Sequence, residues 1–551
     1  MMIDIISTKA FYYYISGKAG CDPCKTIYLC APAEASTSIE SAEQFAVTSG
    51  WQTIAEEQEA ILVVPVALNG WNAEPVSLLM DIYNETKNSF HTRSGEAIWG
   101  RTGTLWCWET ILYLVGYEEG ATFAGNVLIS HPNLFAGVSL VNGVPNDYSK
   151  AEAPSSHWMV KTVSEDYAVK NSEIPVHLWL FEENEEVAQK AVDYFGNSRS
   201  NDNPAEQVRL FVGDYSSEDA RLSQMIFEEC FNHVIRWKNS PDGTLAQIDS
   251  KKEFYADPRF IRKTAVAGER SYDYFIHLPE KKTVDQVKGL PLVFTLHGRG
   301  EPAWMFTTKN GWDILADETQ EFVLVSLDSP GNIWFVLRDN EVFEKVIAQM
   351  IEEYRIDETR VYLTGFSNGA IMTREMAYCR PHLFAGISPS NGPWFDSRSM
   401  QLKNDSKPPK EMAPEVAQMM KEFEKSGWEM PCAFFYGDND PAADARENPA
   451  LELMLRVNHC EEESSKAYTK DNYFTLDKGY KEGDRFQTEV YCREDQSARV
   501  CITVMKNMPH GAIAEEARFT WEFLKQFCRP KGSKKVLNKI GKGESDDRYY
   551  E

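Results

Sequence analysis

The sequence predicts an α/β fold in two tandem copies, each a mostly parallel sheet flanked by helices, and three observations carry that reading. Short apolar runs alternate with helical patterns through the second half, as a parallel sheet covered on both faces requires. The stretch from Tyr113 to Gly143 lies without a gap over the stretch from Tyr362 to Gly392, with 13 of 31 positions identical. Finally, 551 residues exceed what one hydrophobic core usually supports.

Taken in order, the first half opens on Met1-Met2-Ile3-Asp4, which has an acid where a signal peptide carries basic residues. Gly50-Trp51 ahead of Ile61-Leu-Val-Val-Pro65 mirrors Gly311-Trp312 ahead of Phe322-Val-Leu-Val-Ser326, so the repeat is expected to span the whole of each half. Turn-rich Asn239-Ser240-Pro241-Asp242-Gly243 and the polar run through Ala256 separate the copies, giving domains over 1–245 and 256–530. In the second copy, strands are expected at Tyr272–Leu278, Leu292–Leu296, Phe322–Leu327, Val361–Thr364, Ala385–Ser388, Cys432–Tyr436 and Val500–Met505. Val342, Phe343, Val346, Ile347, Met350, Ile351 and Tyr354 share one face of a helix before the Val361 strand. The segments from Pro393 to Met430 and from Ala442 to about Gly483 exceed the minimal alternation and read either as lid or pocket insertions or as surface decoration. The tail over 531–551, basic and then acidic with Gly and Ser, reads as disordered.

Composition narrows the partners. A net charge of −26 disfavours nucleic acid and anionic membrane and suits a small, neutral or soluble substrate. No run approaches the roughly 18 apolar residues of a membrane span. Eleven scattered cysteines suit reduced thiols, so a cytoplasmic location is expected. Cys21-Asp22-Pro23-Cys24 is the one spacing with redox or metal potential, and without a second Cys or His pair it reads as a loop. No cofactor and no metal are expected.

Gly365-Phe366-Ser367-Asn368-Gly369 joins a strand to a helix, and such a turn lifts a hydroxyl clear of the sheet when both flanks are glycine. Ser367 is the expected nucleophile. A serine needs a base, a group to orient that base, and donors for the oxyanion. His510 follows the Val500–Met505 strand and is the expected base. Asp440, in Gly437-Asp438-Asn439-Asp440 at the end of the Cys432 strand, is the expected orienter by its Gly-x-x-Asp spacing, with Asp438 as the alternative. The main-chain N–H groups of Asn368 and of Arg299, in the turn Leu296-His297-Gly298-Arg299-Gly300, are the expected oxyanion donors, and His297 is expected to brace that turn. Trp304, Trp334, Trp394 and Phe395 lie in post-strand loops and read either as walls of an acyl pocket or as loop packing.

The second half resembles the esterases grouped with poly(3-hydroxybutyrate) depolymerases and feruloyl or acetyl-xylan esterases, within the α/β-hydrolase superfamily. The resemblance runs from Arg270–Pro279 through His297-Gly298, Gly311-Trp312, Arg360–Gly369, Phe384-Ala385-Gly386 and Gly437-x-x-Asp440 to His510-Gly511. It implies an α/β-hydrolase fold, a Ser367-His510-Asp440 triad and hydrolysis of carboxylic esters. Extracellular members of that family act on polymers, and a chain without a secretion signal or disulfides suits small soluble esters instead. A serine peptidase of the same fold is the alternative, and a non-catalytic scaffold the alternative from another class. The first half is read as a degenerate copy: Glu118 stands at the place of Ser367 and Asn184 at that of Asp440. His233 falls too late to match His510, and Leu29-Cys30-Ala31-Pro32 replaces the histidine-glycine turn.

Overall fold

The computed structural model describes residues 3–4, 8–16, 24–86, 91–92, 107–155, 169–196, 205–236, 243, 245–247, 260–299, 301, 303–330, 333–393, 396, 412–438, 440, 448–460, 466–468, 486–495, 497–505, 508, 510–512 and 516–538. The chain divides into two compact units, Met1–Phe254 and Tyr255–Glu551. No described helix is long and apolar enough to cross a membrane.

In the first unit, Phe11–Ile15 (β1), Cys24–Cys30 (β2), Ile61–Pro65 (β3), Cys107–Tyr117 (β4), Gly137–Val141 (β5), Leu178–Glu182 (β6) and Val208–Val212 (β7) form one sheet in the order β1-β3-β2-β4-β5-β6-β7. β1 pairs antiparallel with β3, and every other pair is parallel. Every residue of β3, β5 and β6 is buried. That explains their largely apolar sequences, interrupted by Ser139 in β5 and Glu182 at the end of β6, since both faces of a parallel sheet are covered. The helix Glu119–Ser130 (α1) follows β4 directly.

The second unit repeats and enlarges this plan. Its strands are Phe260–Ala267 (β8), Arg270–His277 (β9), Leu292–Leu296 (β10), Val323–Leu327 (β11), Val361–Phe366 (β12), Gly386–Ser390 (β13), Cys432–Gly437 (β14), Lys466–Tyr468 (β15), Phe486–Cys492 (β16) and Ala498–Met505 (β17). They lie in the order β8-β9-β11-β10-β12-β13-β14-β17-β16-β15, parallel from β11 to β17 and antiparallel at both flanks. The helices that bear on the site are Ala303–Lys309 (α2), Val336–Tyr354 (α3), Asn368–Cys379 (α4), Pro414–Ser426 (α5), Pro449–Val457 (α6) and Glu516–Leu524 (α7). One face of the sheet packs against α3 through Val342, Phe343, Val346 and Met350. The other packs against α7 through Ala517, Trp521 and Leu524.

Matching atoms make matching bonds in the two units. The Tyr113 hydroxyl donates to Val234 O at 2.8 Å and the Tyr362 hydroxyl to Phe527 O at 2.6 Å. Arg236 Nε donates to Phe135 O and Arg529 Nε to Phe384 O, each at 2.7 Å, and both guanidinium groups are buried. Gly50 and Gly311, at φ 84° and 71°, start the helices that bury Trp51 and Trp312, a left-handed backbone that glycine adopts without strain.

Three expectations change. The antiparallel strands β8, β15 and β16 escape the alternation, because β8 exposes much of its length at a sheet edge and so shows no apolar run. In their described parts, each of the two long segments carries a helix that the fold requires. α5 and α6 occupy the connections β13 to β14 and β14 to β17, where parallel neighbours require a crossover, and α6 buries Leu451, Leu453 and Met454 in the core. The tail is ordered through Asn538: Val536 is buried and donates its N–H to Glu429 Oε2 at 2.9 Å, and Leu537–Asn538 pairs with Phe527–Cys528. Residues 539–551 lie outside the described residues.

Candidate active site

β12 ends at Phe366 and α4 begins at Asn368, so Ser367 alone makes the turn. Its backbone is held at φ 53° and ψ −112°, and its N–H donates to Ser390 O at 3.0 Å. A non-glycine residue here stores strain that the surrounding sheet must hold. The flanking glycines are required by close approach: a Cβ at Gly365 would come within 2.5 Å of Gly369 O, and one at Gly369 within 2.3 Å of Leu296 O.

The structure brings Ser367, His510 and Asp440 together from three sheet ends. His510 Nε2 lies 2.9 Å from Ser367 Oγ, and its Nδ1 lies 2.5 Å from Asp440 Oδ2. The Asp440 side chain is 4% exposed and the His510 side chain 29%, so the carboxylate is buried while the imidazole reaches solvent. Asp438, the alternative orienter, is exposed at the end of β14. With Nδ1–H held by Asp440, Nε2 is left to accept the serine proton, the arrangement that turns a hydroxyl into a nucleophile. Asn391 links the two loops behind this line. Its Oδ1 accepts from Gly437 N–H at 3.0 Å and its Nδ2 donates to Gly511 O at 2.6 Å.

The turn after β10 lies beside the elbow. His297 is buried, its Nδ1 donating to Gly298 O at 2.7 Å while its Nε2 accepts from Ser329 N–H at 3.1 Å. Burial holds this imidazole neutral, its pKa pushed down to about 4. Gly298 N–H donates to Glu301 Oε2 at 2.8 Å, so within this turn the next amide, that of exposed Arg299, is the candidate to face the substrate. Asn368 is buried, and its Oδ1 accepts from Trp334 N–H at 2.6 Å.

Trp334 is therefore not a wall of an open pocket. It is fully buried, and its indole donates to His297 O at 3.1 Å, bracing the turn from behind. Trp71 makes the same bond to Ala31 O at 2.8 Å in the first unit, so the contact belongs to the fold. Trp304 lies on α2, but its side chain lies outside the described residues, as do Trp394, Phe395 and Cys21 with the side chain of Cys24.

At the corresponding place in the first unit, Glu118 forms the elbow, with φ 54° and ψ −120°. Burial and the neighbouring carboxylates of Glu34 and Glu119 raise its pKa. Asn142 Nδ2 donates to Tyr215 O at 2.6 Å as Asn391 does to Gly511, which puts Asp214 where His510 stands. Asn142 N–H meets Phe181 O and Asn391 N–H meets Phe435 O, so Asn184 matches Asp438, not Asp440 as the linear comparison placed it. The pairing of Cys30 with Gly116 and of Leu296 with Gly365 makes Ala33 the counterpart of Arg299, and Ala33 N–H donates to Glu119 Oε2 at 3.4 Å. His233 is exposed after the last helical turn of this unit.

Sequence reasoning overlooked Asn391 and Glu301. Asn391 had a signal, since it is identical in the repeat as Asn142. The elbow, the strand order around it and the placement of acid and base on successive sheet ends decide the architecture. The chain has the α/β-hydrolase fold. No family model matches it. Among curated proteins, the chain is 33% identical over 124 residues to "Poly(3-hydroxyalkanoate) depolymerase C" of Paucimonas lemoignei, covering 20% of this chain and 30% of the relative. It is 31% identical over 106 residues to "Bifunctional acetylxylan esterase/xylanase XynS20E" of Neocallimastix patriciarum, covering 19% of this chain and 16% of the relative. The chain thus spans less than a third of the length of either. Solved structures similar to it include an acetyl xylan esterase from Aspergillus awamori, with TM-score 0.35, 15% identity, 48% of this chain and 99% of the other covered. A feruloyl esterase module from Clostridium thermocellum in complex with sinapinate gives TM-score 0.33 and 16% identity, covering 48% of this chain and 86% of the other.

Proposed function

We propose that the second unit is a serine-dependent carboxylic-ester hydrolase acting on small soluble esters, with Ser367 as nucleophile, His510 as general base and acid, and Asp440 as its orienter. The observation that carries this reading is the continuous line Ser367 Oγ, His510 Nε2, His510 Nδ1, Asp440 Oδ2 at 2.9 and 2.5 Å. In the first step Oγ attacks the acyl carbon as its proton passes to Nε2. The carbonyl oxygen, now negative, is received by the amides of Asn368 and Arg299. The tetrahedral adduct collapses, the alcohol leaves with the proton from His510, and an acyl-serine remains. Water activated by the same imidazole then releases the acid. The matched relatives are named as a depolymerase and an acetylxylan esterase, which supports an ester over an amide.

The first unit, on this reading, is a non-catalytic copy. Its elbow carries a carboxylate, and the Glu119 carboxylate takes the amide that corresponds to an oxyanion donor. Steady-state turnover of p-nitrophenyl acetate, methyl ferulate and a matched p-nitroanilide tests the assignment. The expected result is hydrolysis of the esters with little or none of the anilide; hydrolysis of the anilide alone would make the protein a peptidase.

A further inference from the structure

Side-chain bonds present in both units mark what the fold needs: those of Trp71 and Trp334, Asn142 and Asn391, Tyr113 and Tyr362, Arg236 and Arg529. Features of the second unit alone mark what its site needs. Besides the proposed triad, that second set contains a buried ion pair to which the catalytic reading gives no role. Glu301 and Lys309 are each 1% exposed, and Lys309 Nζ donates to Glu301 Oε1 at 2.8 Å. The other carboxylate oxygen accepts Gly298 N–H at 2.8 Å. Lys309 Nζ also lies 3.4 Å from the centre of the Phe366 ring, and that ring lies 5.0 Å from the His510 imidazole. In the first unit, strand pairing places Pro32 at Gly298, and proline has no N–H to give. Three residues on stands Ala35 in place of Glu301, and ahead of Ser49-Gly50-Trp51 stands Thr48 in place of Lys309.

We propose that Glu301, neutralised by Lys309, is a positioning residue for the oxyanion donors, an inference that rests on the ester-hydrolase reading above. Burying an ion pair carries a desolvation cost that apolar packing of the same volume avoids, so its presence in one copy alone calls for a role. That role follows from the bonds at Gly298. Its N–H is held by the Glu301 carboxylate, and its carbonyl receives both Glu301 N–H at 3.2 Å and His297 Nδ1 at 2.7 Å. Gly298 is thus held on both sides, and because its carbonyl shares one planar peptide with the Arg299 N–H, that amide is aimed and not free to rotate. The approach is close enough to demand glycine, since a Cβ at Gly298 would lie 2.9 Å from both Glu301 Oε2 and the Phe366 ring. Lys309 completes the device: a carboxylate left uncompensated on the neighbouring amide would oppose the negative charge of the tetrahedral adduct.

The test is hydrolysis of p-nitrophenyl acetate by the full-length wild type and by Glu301→Ala, Glu301→Gln, Lys309→Met and the double variant Glu301→Gln/Lys309→Met, each checked for folding by circular dichroism. Glu301→Ala should lower kcat by about 10²-fold with KM within about threefold, because a misaimed oxyanion donor costs transition-state binding. Glu301→Gln, which keeps the acceptor for Gly298 N–H, should stay within about tenfold of wild type. Lys309→Met should be slower than the double variant, since removing the stranded charge relieves it. A kcat for Glu301→Ala within about threefold of wild type, a loss confined to KM, or a double variant as slow as Lys309→Met would overturn the proposal. If Glu301→Ala does not fold, the comparison of Glu301→Gln, Lys309→Met and the double variant decides. An inactive wild type would overturn the ester-hydrolase reading together with this one, whereas an active wild type with an unaffected Glu301→Ala would overturn this one alone.

Discussion

Glu118 and Ser367 share one backbone conformation, φ 54° and ψ −120° for the glutamate and φ 53° and ψ −112° for the serine, and both N–H groups bond the neighbouring strand, at Val141 O and Ser390 O. The first unit has the same strained elbow with a carboxylate where the second has a hydroxyl. A carboxylate there still needs a base to activate water, and the residue in register with His510 is Asp214, not a histidine. Glu118→Gln is accordingly expected to leave ester turnover within about twofold of wild type. It should also raise stability at neutral pH. The folded pKa of Glu118 is raised, so its contribution is whole below the unfolded value and is lost as pH rises above it. The gain in melting temperature should therefore vanish near pH 4; loss of activity in Glu118→Gln would place a working site in the first unit.

The paired indoles separate fold from function. Trp71→Phe and Trp334→Phe each leave a buried carbonyl, Ala31 O or His297 O, without its indole donor. Each should destabilise its own unit by about 1–3 kcal/mol. Only Trp334→Phe should lower kcat, since only His297 belongs to a turn beside the proposed nucleophile. Thermal melts with parallel kinetics check this, and an equal effect of both on kcat would contradict it.

Two buried groups pull stability in opposite directions with pH. His297 is held neutral with its pKa near about 4, so its contribution is present above the unfolded value of about 6.5 and is lost as pH falls toward 4. Glu516 is fully buried, and burial pushes its pKa up to about 8, so its contribution is present below about 4.5 and is lost as pH rises through 8. Glu516→Gln should thus gain on wild type steadily between pH 5 and 9. His297→Gln should cost most at pH 7 and progressively less toward pH 4. Chemical denaturation across that range measures both differences, and differences independent of pH would refute the assignments.

For the acid, Asp440→Asn is expected to lower kcat by about 10³-fold or more and Asp438→Asn by less than about threefold. The ranking follows from the 2.5 Å contact of Asp440 with His510 and the exposure of Asp438. The reverse order would move the orienter to Asp438.

What was legible in the sequence is what local chain geometry dictates. The elbow, the loop carrying Asp440 and the loop carrying His510 each follow a strand whose apolar run is unmistakable, and the repeat exposes itself by identity. Glu301 and Lys309 were not legible, because their partnership exists only once Gly298 and Phe366 converge in space. The choice between the two readings of Trp334 was not legible for the same reason: a loop position does not say which way an indole points. β8 was hidden by its exposed edge, and Arg236 and Arg529 by the low identity around them, although their bonds extend the repeat to the last strands.

The central claim is that Ser367 is an activated nucleophile, and mass spectrometry of the intact protein after exposure to a fluorophosphonate tests it most directly. The account predicts one adduct per wild-type chain, mapped by proteolysis to the peptide containing Ser367, no adduct in Ser367→Ala, and a fall of about 10⁴-fold or more in ester turnover for that variant. A wild-type chain that remains unlabelled, or a folded Ser367→Ala that still labels and still turns over ester, would contradict it.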